Sequence, residues 1–317
     1  MRVQSEPKYH DHVRLLSMAF LTFVAAALTA CETSPYRTAV VETRTPPSKP
    51  APAPSSSQAT VLRFSVAAIE SPRDTYASYT RLFDRVGRLL DRTVQFEQRR
   101  TYREVNELLI SGELDAALLC TGGYLDLQKR APRAVEIVAV PVVAGGESYE
   151  SVIVVSAASD IKDIGGLQGR RFAFTDELSF SGRLYPVRLL RDRGFDPDHF
   201  FGGITYTGSH DRSIHAVASG LVDGAAVHGG VLAELEARDP TLEQRLRVIH
   251  RSPPLGAMPV VVSTRLPPEA RARLREVLLG LDRDPEAAAT LKLLRFDRFA
   301  EPSPGLYASA ARMLDGR

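Results

Sequence analysis

Two stretches of the chain repeat one pattern, and this repeat restricts the possible folds more than any other feature of the sequence. Residues 108–120, LLISGELDAALLC, and residues 216–228, AVASGLVDGAAVH, each combine the end of a helix, a Ser-Gly pair, an aspartate and a short apolar strand. Glycine after a helix readily adopts the left-handed conformation that ends the helix. A helix that leads into a short buried strand is half of a βαβ unit. The repeat therefore predicts two similar α/β lobes.

Strand-like and helix-like runs alternate over the rest of the folded region. The apolar run at residues 135–143 predicts a strand that leads toward the second lobe, and the runs within residues 246–264 predict the return. We therefore expect an α/β fold, a two-lobed clamshell with two crossover strands. Lobe I would comprise residues 61–145 and 250–317, and lobe II residues 146–249. Ligands favour the cleft of such a fold, at the carboxyl ends of parallel strands.

The N-terminal segment predicts export. Three basic residues precede an apolar run at residues 15–30, LLSMAFLTFVAAALTA, which is shorter than the roughly 20 residues that span a bilayer. A basic start, a short apolar run and small residues at its end are typical of a secretory signal peptide. The run leads to Cys31 within LTAC, which resembles the bacterial lipoprotein box, in which the cysteine is lipidated. We expect residues 1–30 to be a signal peptide and Cys31 to carry lipid; the alternative is an ordinary signal followed by an incidental cysteine.

Composition narrows the possible partners. Residues 31–60 are rich in Pro, Ser and Thr and lack apolar periodicity, which predicts an extended tether between a membrane and the folded region. The formal net charge of +2 gives no indication of a nucleic-acid partner. Cys31 and Cys120 are the only cysteines, which argues against a disulfide framework. Cys120 ends an apolar run and is interpreted as a buried, inert side chain.

The stretch TDELSFSGRLYPVRLL, residues 175–190, places small polar residues just before an apolar-periodic helix. The first turn of a helix leaves N–H groups without intrahelical partners, and the helix dipole adds partial positive charge there. Such groups can hold an oxyanion. Ser179 and Ser181 are therefore either helix caps or additional donors to a bound anion, and the two roles are compatible. Gly182 would let the anion approach closely.

Taken together in their order and spacing, five stretches resemble the phosphate, phosphite and phosphonate family of ABC-transporter substrate-binding proteins, which have the type II periplasmic-binding fold. The stretches are SGELDAALLCTGGYL, ESYESVIVV, IGGLQGRRFAFTDELSFSG, TYTGSHDRSIHAVASGLVDGAAV and VIHRSPPLGAMPVVV, and the resemblance covers residues 61–304. It implies a monomeric solute-binding lipoprotein of the cell envelope or periplasm, anchored to the membrane by lipid. Such a protein captures a small phosphorus oxyanion (phosphate, phosphite or phosphonate) and delivers it to an ABC permease and its ATPase. No cofactor is implied.

The resemblance also implies the residues of the site. In the family, a Ser-Thr-Ser-Gly turn, a Gly-Ser-His-acid segment and a first-lobe tyrosine surround the phosphoryl group. The corresponding residues here are Ser179, Phe180, Ser181, Gly182, His210, Asp211 and Tyr124, with Thr121 as a weaker candidate. His210 would donate to a ligand oxygen, and Asp211 would accept the proton of a monoprotonated phosphoryl group and so disfavour sulfate. The alternatives are a loop histidine, a helix-start acid and a tyrosine of the lobe core.

The sequence departs from the family pattern in ways that bear on the ligand. Phe180 replaces the usual threonine, which removes one side-chain donor. Aminophosphonate-binding members carry a carboxylate shortly after the second repeat, where this chain has HGG at residues 228–230, and another just before a proline, where it has Met258. We therefore expect a ligand without an amine. The sequence leaves open whether Tyr76 or Tyr79 lines the cleft.

Other functions have weaker support from the residues. Ser, His and Asp are present, but the Gly-x-Ser-x-Gly nucleophile elbow is not, so no enzymatic activity is expected. A metal-binding lipoprotein is a further alternative, but His210 and His215 do not share one helix face and no His/Cys cluster has zinc spacing. A binding protein that senses its ligand for a signalling partner stays open.

Overall fold

The computed structural model describes residues 61–315. The predicted signal peptide (1–30), Cys31 and the predicted tether (31–60) lie outside these residues. Between residues 61 and 315, no helix is long and apolar enough to cross a membrane.

Strands and helices alternate along the described chain. In chain order the strands are β1 (Leu62–Val66), β2 (Val94–Glu97), β3 (Ala116–Leu118), β4 (Val135–Val142), β5 (Ser148–Tyr149), β6 (Ser151–Ser156), β7 (Arg171–Phe174), β8 (Gly203–Tyr206), β9 (Gly224–His228), β10 (Leu246–Arg251), β11 (Leu255–Gly256), β12 (Val260–Ser263) and β13 (Arg298–Ala300). The helices are α1 (Pro72–Leu90), α2 (Tyr102–Ser111), α3 (Thr121–Arg130), α4 (Tyr185–Asp192), α5 (Pro197–Phe200), α6 (His210–Ala218), α7 (Gly229–Arg238), α8 (Thr241–Arg245), α9 (Pro268–Leu279), α10 (Pro285–Leu293) and α11 (Ala308–Leu314). A π-helical turn, Phe180–Leu184, leads directly into α4.

Two sheets of matching topology form the two lobes. The first sheet has the order β2-β1-β3-β12-β4-β13, and the second has the order β8-β7-β9-β6-β10. In each sheet the first three strands are parallel and the fourth is antiparallel to the third. The two α/β lobes and the two crossovers predicted from the sequence are therefore confirmed.

A short ribbon connects the two sheets. Strands β5 and β11 pair antiparallel, and each lies in the chain between a strand of one sheet and a strand of the other. The chain therefore passes between the lobes twice at this ribbon. The lobe boundaries predicted at residues 145 and 249 stay a prediction; β10, the last strand of the second sheet, runs to Arg251.

The aspartate of each repeat ties two neighbouring strands together. In lobe I, the Asp115 carboxylate accepts hydrogen bonds from the Arg63 backbone N–H at 2.8 Å and from the Arg63 guanidinium at 3.1 Å. In lobe II, Asp223 accepts the same set from Arg171, with a backbone bond of 2.8 Å. Each arginine also donates to the carbonyl of the repeat's own glycine, Gly112 or Gly220. Both glycines have a positive φ. The repeated sequence pattern thus plays the same structural role in both lobes.

Helix α1 packs one face onto the first sheet. Tyr79, Leu82, Phe83 and Val86 recur at the spacing of one helix face, and all four are buried. The ring centroid of Phe83 lies 4.3 Å from that of Phe64 on β1. Burial of side chains of this size contributes about 1.5–3 kcal/mol each. This packing holds the first turns of α1 at the edge of the cleft.

Candidate functional site

A cavity of about 370 Å³ lies between the two lobes, beside the β5–β11 ribbon. Most of its wall is apolar, and charged side chains line the remainder. The apolar and aromatic lining includes Val66, Ile69, Tyr79, Tyr149, Val231, Met258 and Phe296. The charged lining consists of Glu70, Glu150, Glu234, Arg251 and Arg295. Cavities of this size at the boundary between two lobes are the usual place for a small ligand.

The structure shows which tyrosine of α1 faces the cleft. Tyr79 is buried and lines the cavity. Tyr76 is 55% exposed and stacks on Phe96 with ring centroids 5.9 Å apart. Tyr79 is therefore the cleft residue of this pair.

The cleft is not free of carboxylates, although the two positions considered in the sequence analysis carry none. Gly230 and Met258 both line the cavity. Glu234 lies one helical turn after Gly230 on α7, and Glu70 faces it from the loop after β1. The absence of a carboxylate at Gly230 and Met258 therefore does not extend to the cavity as a whole, and a ligand without an amine stays a prediction. Glu70 and Glu234 lie far apart in the chain, so no sequence pattern joins them.

Ser179 begins the turn that the sequence predicts as an anion site. Its backbone is extended, with φ −67° and ψ 119°, and its Oγ accepts a hydrogen bond from the Gly182 N–H at 3.0 Å. Ser179 therefore caps the helix that follows. Ser181 differs, because its Oγ is buried and has no hydrogen-bond partner within residues 61–315. A buried hydroxyl without a partner is a candidate donor to a ligand. Like Ser179 and His210, Ser181 is buried beside the 370 Å³ cavity and does not line it in this structure.

Gly182 and Phe180 pack within the protein. A Cβ at Gly182 would lie 2.5 Å from Thr175 Oγ1 and 2.8 Å from Ser179 Oγ. Neighbouring side chains, rather than the close approach of an anion, therefore require glycine at this position. The Phe180 ring is fully buried in an apolar cluster and does not line the cavity, while its backbone N–H donates to Cys120 Sγ at 3.5 Å. Burial raises the pKa of the Cys120 thiol, which keeps it protonated.

His210 is a neutral donor that is fixed by both lobes. Its backbone N–H donates to Ile69 O of lobe I at 2.9 Å. Its Nδ1 accepts the His228 N–H at 3.1 Å and lies 3.0 Å from Thr175 Oγ1. The ring proton therefore belongs on Nε2, which lies 3.4 Å from Ser179 Oγ. Burial, and then the neighbouring His228, lower the pKa of His210 well below its usual value.

Asp211 lies in the first turn of α6 and is 7% exposed. Its Oδ1 is buried and has no hydrogen-bond partner in the described chain. Together with Glu70, Glu234 and Arg238, it lines a small enclosed space next to the main cavity. The structure thus places Asp211 in an acidic group at the lobe boundary.

Tyr102 reaches the turn from lobe I and was not predicted from the sequence. It is almost fully buried, and its hydroxyl lies 3.4 Å from Ala68 O and faces Ser179. Its backbone N–H donates to Asp176 Oδ2 of lobe II at 3.2 Å. Burial raises the pKa of Tyr102 well above its usual value, so its hydroxyl remains a donor.

Tyr149 supplies a second hydroxyl that was not predicted. Its hydroxyl lies 3.3 Å from Thr121 Oγ1 and close to Ser181, and its ring stacks on His228 with centroids 4.1 Å apart. Burial raises the pKa of Tyr149, so this hydroxyl also stays protonated. Thr121 is fully buried, and its hydroxyl donates to Gly256 O of the ribbon at 2.7 Å.

Tyr124, the tyrosine predicted for the cleft, has a different environment. It lies in the first turn of α3, with its ring centroid 4.9 Å from that of Tyr307. It packs against an apolar cluster of lobe I and is not among the residues that line the cavity. Its packing matches the alternative interpretation, a tyrosine of the lobe core. Tyr102 and Tyr149, rather than Tyr124, present their hydroxyls to the serine turn.

The two lobes meet backbone to backbone at Gly122. A Cβ at Gly122 would lie 2.1 Å from Leu178 O and 3.0 Å from the Phe180 N. The start of α3 in lobe I therefore abuts the serine turn of lobe II, and only glycine permits this approach. The two lobes are therefore in direct contact in this structure.

The groups that surround the turn suit an oxyanion. They are hydroxyls, main-chain N–H groups and one neutral imidazole, all of which present hydrogen-bond donors. No group of three or more His, Cys, Asp or Glu side chains in residues 61–315 is arranged to hold a metal ion.

Comparison with known proteins identifies one family over most of the described chain. Residues 64–307 match the family described as "ABC transporter, phosphonate, periplasmic substrate-binding protein". The chain is 30% identical over 148 residues to a probable ABC transporter phosphite binding protein, PhnD1, of Prochlorococcus marinus, covering 44% of this chain and 49% of the relative. It is 29% identical over 164 residues to the phosphate-import protein PhnD of Mycolicibacterium smegmatis, covering 49% of this chain and 50% of the relative. The chain thus spans about half the length of these curated relatives.

The fold has close structural relatives. The structure of PhnD1 from Prochlorococcus marinus in complex with methylphosphonate superposes with a TM-score of 0.73 at 20% sequence identity. The superposition covers 81% of this chain and 97% of the other. At this level of identity, the likeness establishes the two-lobed fold alone.

Proposed function

Because this chain belongs to the family of periplasmic substrate-binding proteins of phosphonate ABC transporters, with a match over residues 64–307, we propose that it captures a small phosphorus oxyanion in the cleft and passes it to an ABC permease. The ligand is phosphate, phosphite or a phosphonate. The observation that carries this proposal is the buried hydroxyl of Ser181, which has no partner within the described residues. A buried hydroxyl without a partner costs about 1–3 kcal/mol, and a bound oxyanion would remove that cost.

Four neutral donors support the choice of an oxyanion. The Ser181 hydroxyl, the hydroxyls of Tyr102 and Tyr149, and the Nε2–H of His210 lie around one turn. Tyr102 comes from lobe I, whereas Ser181 and His210 come from lobe II. An anion among them would be bonded to both lobes, so binding would favour the closed arrangement.

The backbone contacts between the lobes support a hinge mechanism. His210 N–H donates to Ile69 O at 2.9 Å, and Tyr102 N–H donates to Asp176 at 3.2 Å. Both bonds join lobe I to lobe II. In the open form these groups face water, and the ligand supplies the additional free energy that closes the cleft. The ligand is released chemically unchanged.

The N-terminal sequence supports an anchored form of the protein. The family is periplasmic, and the LTAC motif at Cys31 favours lipidation. One acyl chain holds a protein only weakly to a membrane, so several chains are expected on Cys31. We propose a lipid-anchored monomer that works beside its permease and ATPase.

A ligand panel tests the function. Thermal unfolding would be recorded with phosphate, phosphite, methylphosphonate, aminoethylphosphonate, sulfate and taurine. A ligand present at 100 times its Kd stabilises the native state by about 2.7 kcal/mol, which raises the melting temperature. We expect a rise with at least one phosphorus oxyanion and none with sulfate or taurine. A rise with sulfate or taurine alone would contradict the proposal.

The role of Ser181 is tested with a matched pair of variants. Ser181→Ala should weaken the preferred ligand by about 1–3 kcal/mol, because a hydrogen bond to a charged group is lost. Ser159→Ala is the control, since the Ser159 hydroxyl is also buried and without a partner in the described chain, but Ser159 follows the end of β6, whereas the serine turn contacts Ser151 at its beginning. Titration calorimetry measures both. Equal affinities in the two variants would remove Ser181 from the site.

A further inference from the structure

A pair of carboxyl groups bridges the two lobes beside the cavity. Glu70 lies in the loop after β1 of lobe I, and Glu234 lies on α7 of lobe II. Their carboxyl groups lie close enough to share a hydrogen bond when one of them is protonated. Both line the main cavity and the small enclosed space next to it. The residue before Glu70, Ile69, accepts the interlobe hydrogen bond from His210, so this pair forms only when the lobes are in contact.

The groups that face the pair leave it with a surplus of negative charge. Glu234 forms an ion pair with Arg238 on the same helix. Asp211 of α6 lines the same enclosed space, and its Oδ1 has no hydrogen-bond partner within residues 61–315. Tyr79 of α1 lies beside both glutamates and is buried. Three carboxyl groups therefore share one guanidinium.

More distant charges of the cavity do not remove this surplus. Glu150 and Arg251 pair with each other at 3.0 Å on the cavity wall, which Arg295 and the neutral His228 also line. Two carboxylates that share a hydrogen bond cannot both be ionised, so the pair must hold one proton. Because Glu234 already pairs with Arg238, the proton belongs on Glu70.

The proton is held strongly in the closed form. Burial, the charge of Glu234 and the hydrogen bond to Glu234 raise the pKa of Glu70 to about 8; Asp211 adds to this rise and Arg238 opposes it. With the lobes apart, Glu70 faces water and titrates near the ordinary glutamate value of about 4.3. The closed form therefore holds one proton more than the open form at pH values between these two limits.

We propose that closure of the lobes on a ligand takes up one proton, held between Glu70 and Glu234, so that ligand binding strengthens as the pH falls. This regulation rests on the proposed function, because it acts on the same cleft. By linkage, affinity falls up to about tenfold per pH unit as the pH rises through the window from about 4.3 to about 8, and it is constant above and below. The protein would bind most tightly on the acidic side of neutrality and release more readily on the alkaline side.

Calorimetric titration of the full-length mature protein with methylphosphonate at pH 6.5, 7.5 and 8.5 tests the proposal. Glu70→Gln places an amide that donates to Glu234 at every pH, so its closed form needs no added proton. Protonation of the ligand itself affects both proteins equally. This effect therefore cancels in the ratio of their Kd values. We expect the ratio of the Glu70→Gln Kd to the wild-type Kd to fall at least about tenfold from pH 6.5 to 8.5. Near pH 7, buffers of different ionisation enthalpy should show nearly one more proton taken up by the wild type than by Glu70→Gln.

Two further variants separate the possible outcomes. Glu234→Gln removes the partner carboxylate in lobe II and should weaken the same pH dependence, because only burial then raises the pKa of Glu70. This variant provides the test if Glu70→Gln fails to fold. Glu236→Gln is the matched control, since Glu236 lies on the same helix but does not line the cavity, and its ratio to the wild type should not change with pH. If the wild type binds methylphosphonate and the ratio of the Glu70→Gln Kd to the wild-type Kd does not change with pH, this proposal is overturned and the proposed function is left intact. A wild type that binds no phosphorus oxyanion overturns both.

Discussion

At the scale of single residues, two histidines of lobe II, the buried His210 and the half-buried His228, carry the pH response of the fold. Each accepts a backbone N–H at Nδ1: His210 from His228, and His228 from Gly230 at 3.0 Å. Burial lowers the pKa of His228 to about 4, and burial together with His228 lowers that of His210 well below its usual value. Both rings are therefore neutral in the native state at physiological pH, and the bonds they accept depend on that neutrality.

The free energy of unfolding should fall at acidic pH, because protonation of these histidines removes the Nδ1 lone pairs that accept the backbone N–H groups. Their native pKa values are lowered, so their contribution is complete above the unfolded value of about 6.5 and is lost as the pH falls from there toward 4, by up to about 1.4 kcal/mol per pH unit for each histidine. Urea unfolding at pH 7 and pH 5 measures this. His228→Asn should reduce the loss relative to the wild type, whereas His199→Asn, at an exposed histidine, should not. An unchanged loss in His228→Asn would show that His228 does not titrate in this window.

Residue roles could be predicted from the sequence only where the partner is local. Ser179 is a cap of the turn that begins next to it, and its cap bond to Gly182 is local, so both helix and cap were foreseeable. Tyr102 and Tyr149 reach Ser179 and Ser181 only because separate parts of the chain meet. No periodicity or spacing within one segment records such a contact.

At the scale of elements, the meeting of α3 with the serine turn decides whether the cleft can close. A Cβ at Gly122 would meet Leu178 O at 2.1 Å, whereas a Cβ at Gly123 has no neighbour closer than 3.8 Å. Gly122→Ala should therefore keep both lobes folded but hold them apart, and weaken ligand binding by about tenfold or more. Gly123→Ala should bind normally and gain up to about 1 kcal/mol of helix stability. Small-angle scattering with and without ligand, together with calorimetry, would show compaction in Gly123→Ala only; compaction in both would contradict the steric argument.

The elements themselves show where sequence patterns succeed and where they fail. Helices α2 and α6 and strands β3 and β9 follow from the repeat, because the glycine, the aspartate and the apolar run are local signals. No helix was predicted over Thr121–Arg130, where Gly122 and Gly123 are poor helix formers. Tertiary packing overrides that propensity in α3, and the helix turns Tyr124 toward Tyr307.

At the scale of the whole molecule, the predicted lipid anchor can be tested separately from the fold and from ligand binding. Replacement of Cys31 by Ser should leave the precursor uncleaved or without lipid, because the thiol is the group to which the lipid is attached. Membrane partition and the mass of the mature N-terminus measure this, and Cys120→Ser serves as the control with the other cysteine. A Cys31→Ser protein that matches the wild type in size and in membrane partition would contradict the lipoprotein prediction.

The strand order of the two sheets also decides which sheet can be completed first when the chain is made from its N-terminus onward. The second sheet uses only strands from β6 to β10, so it can be completed as soon as Arg251 is available. The first sheet cannot be completed then, because β12 lies between β3 and β4 at its centre. Until residues 260–263 arrive, the early strands of lobe I have an open central edge, which is a template for wrong pairing. An unfinished chain therefore carries its greatest risk of misassembly in the half that was made first.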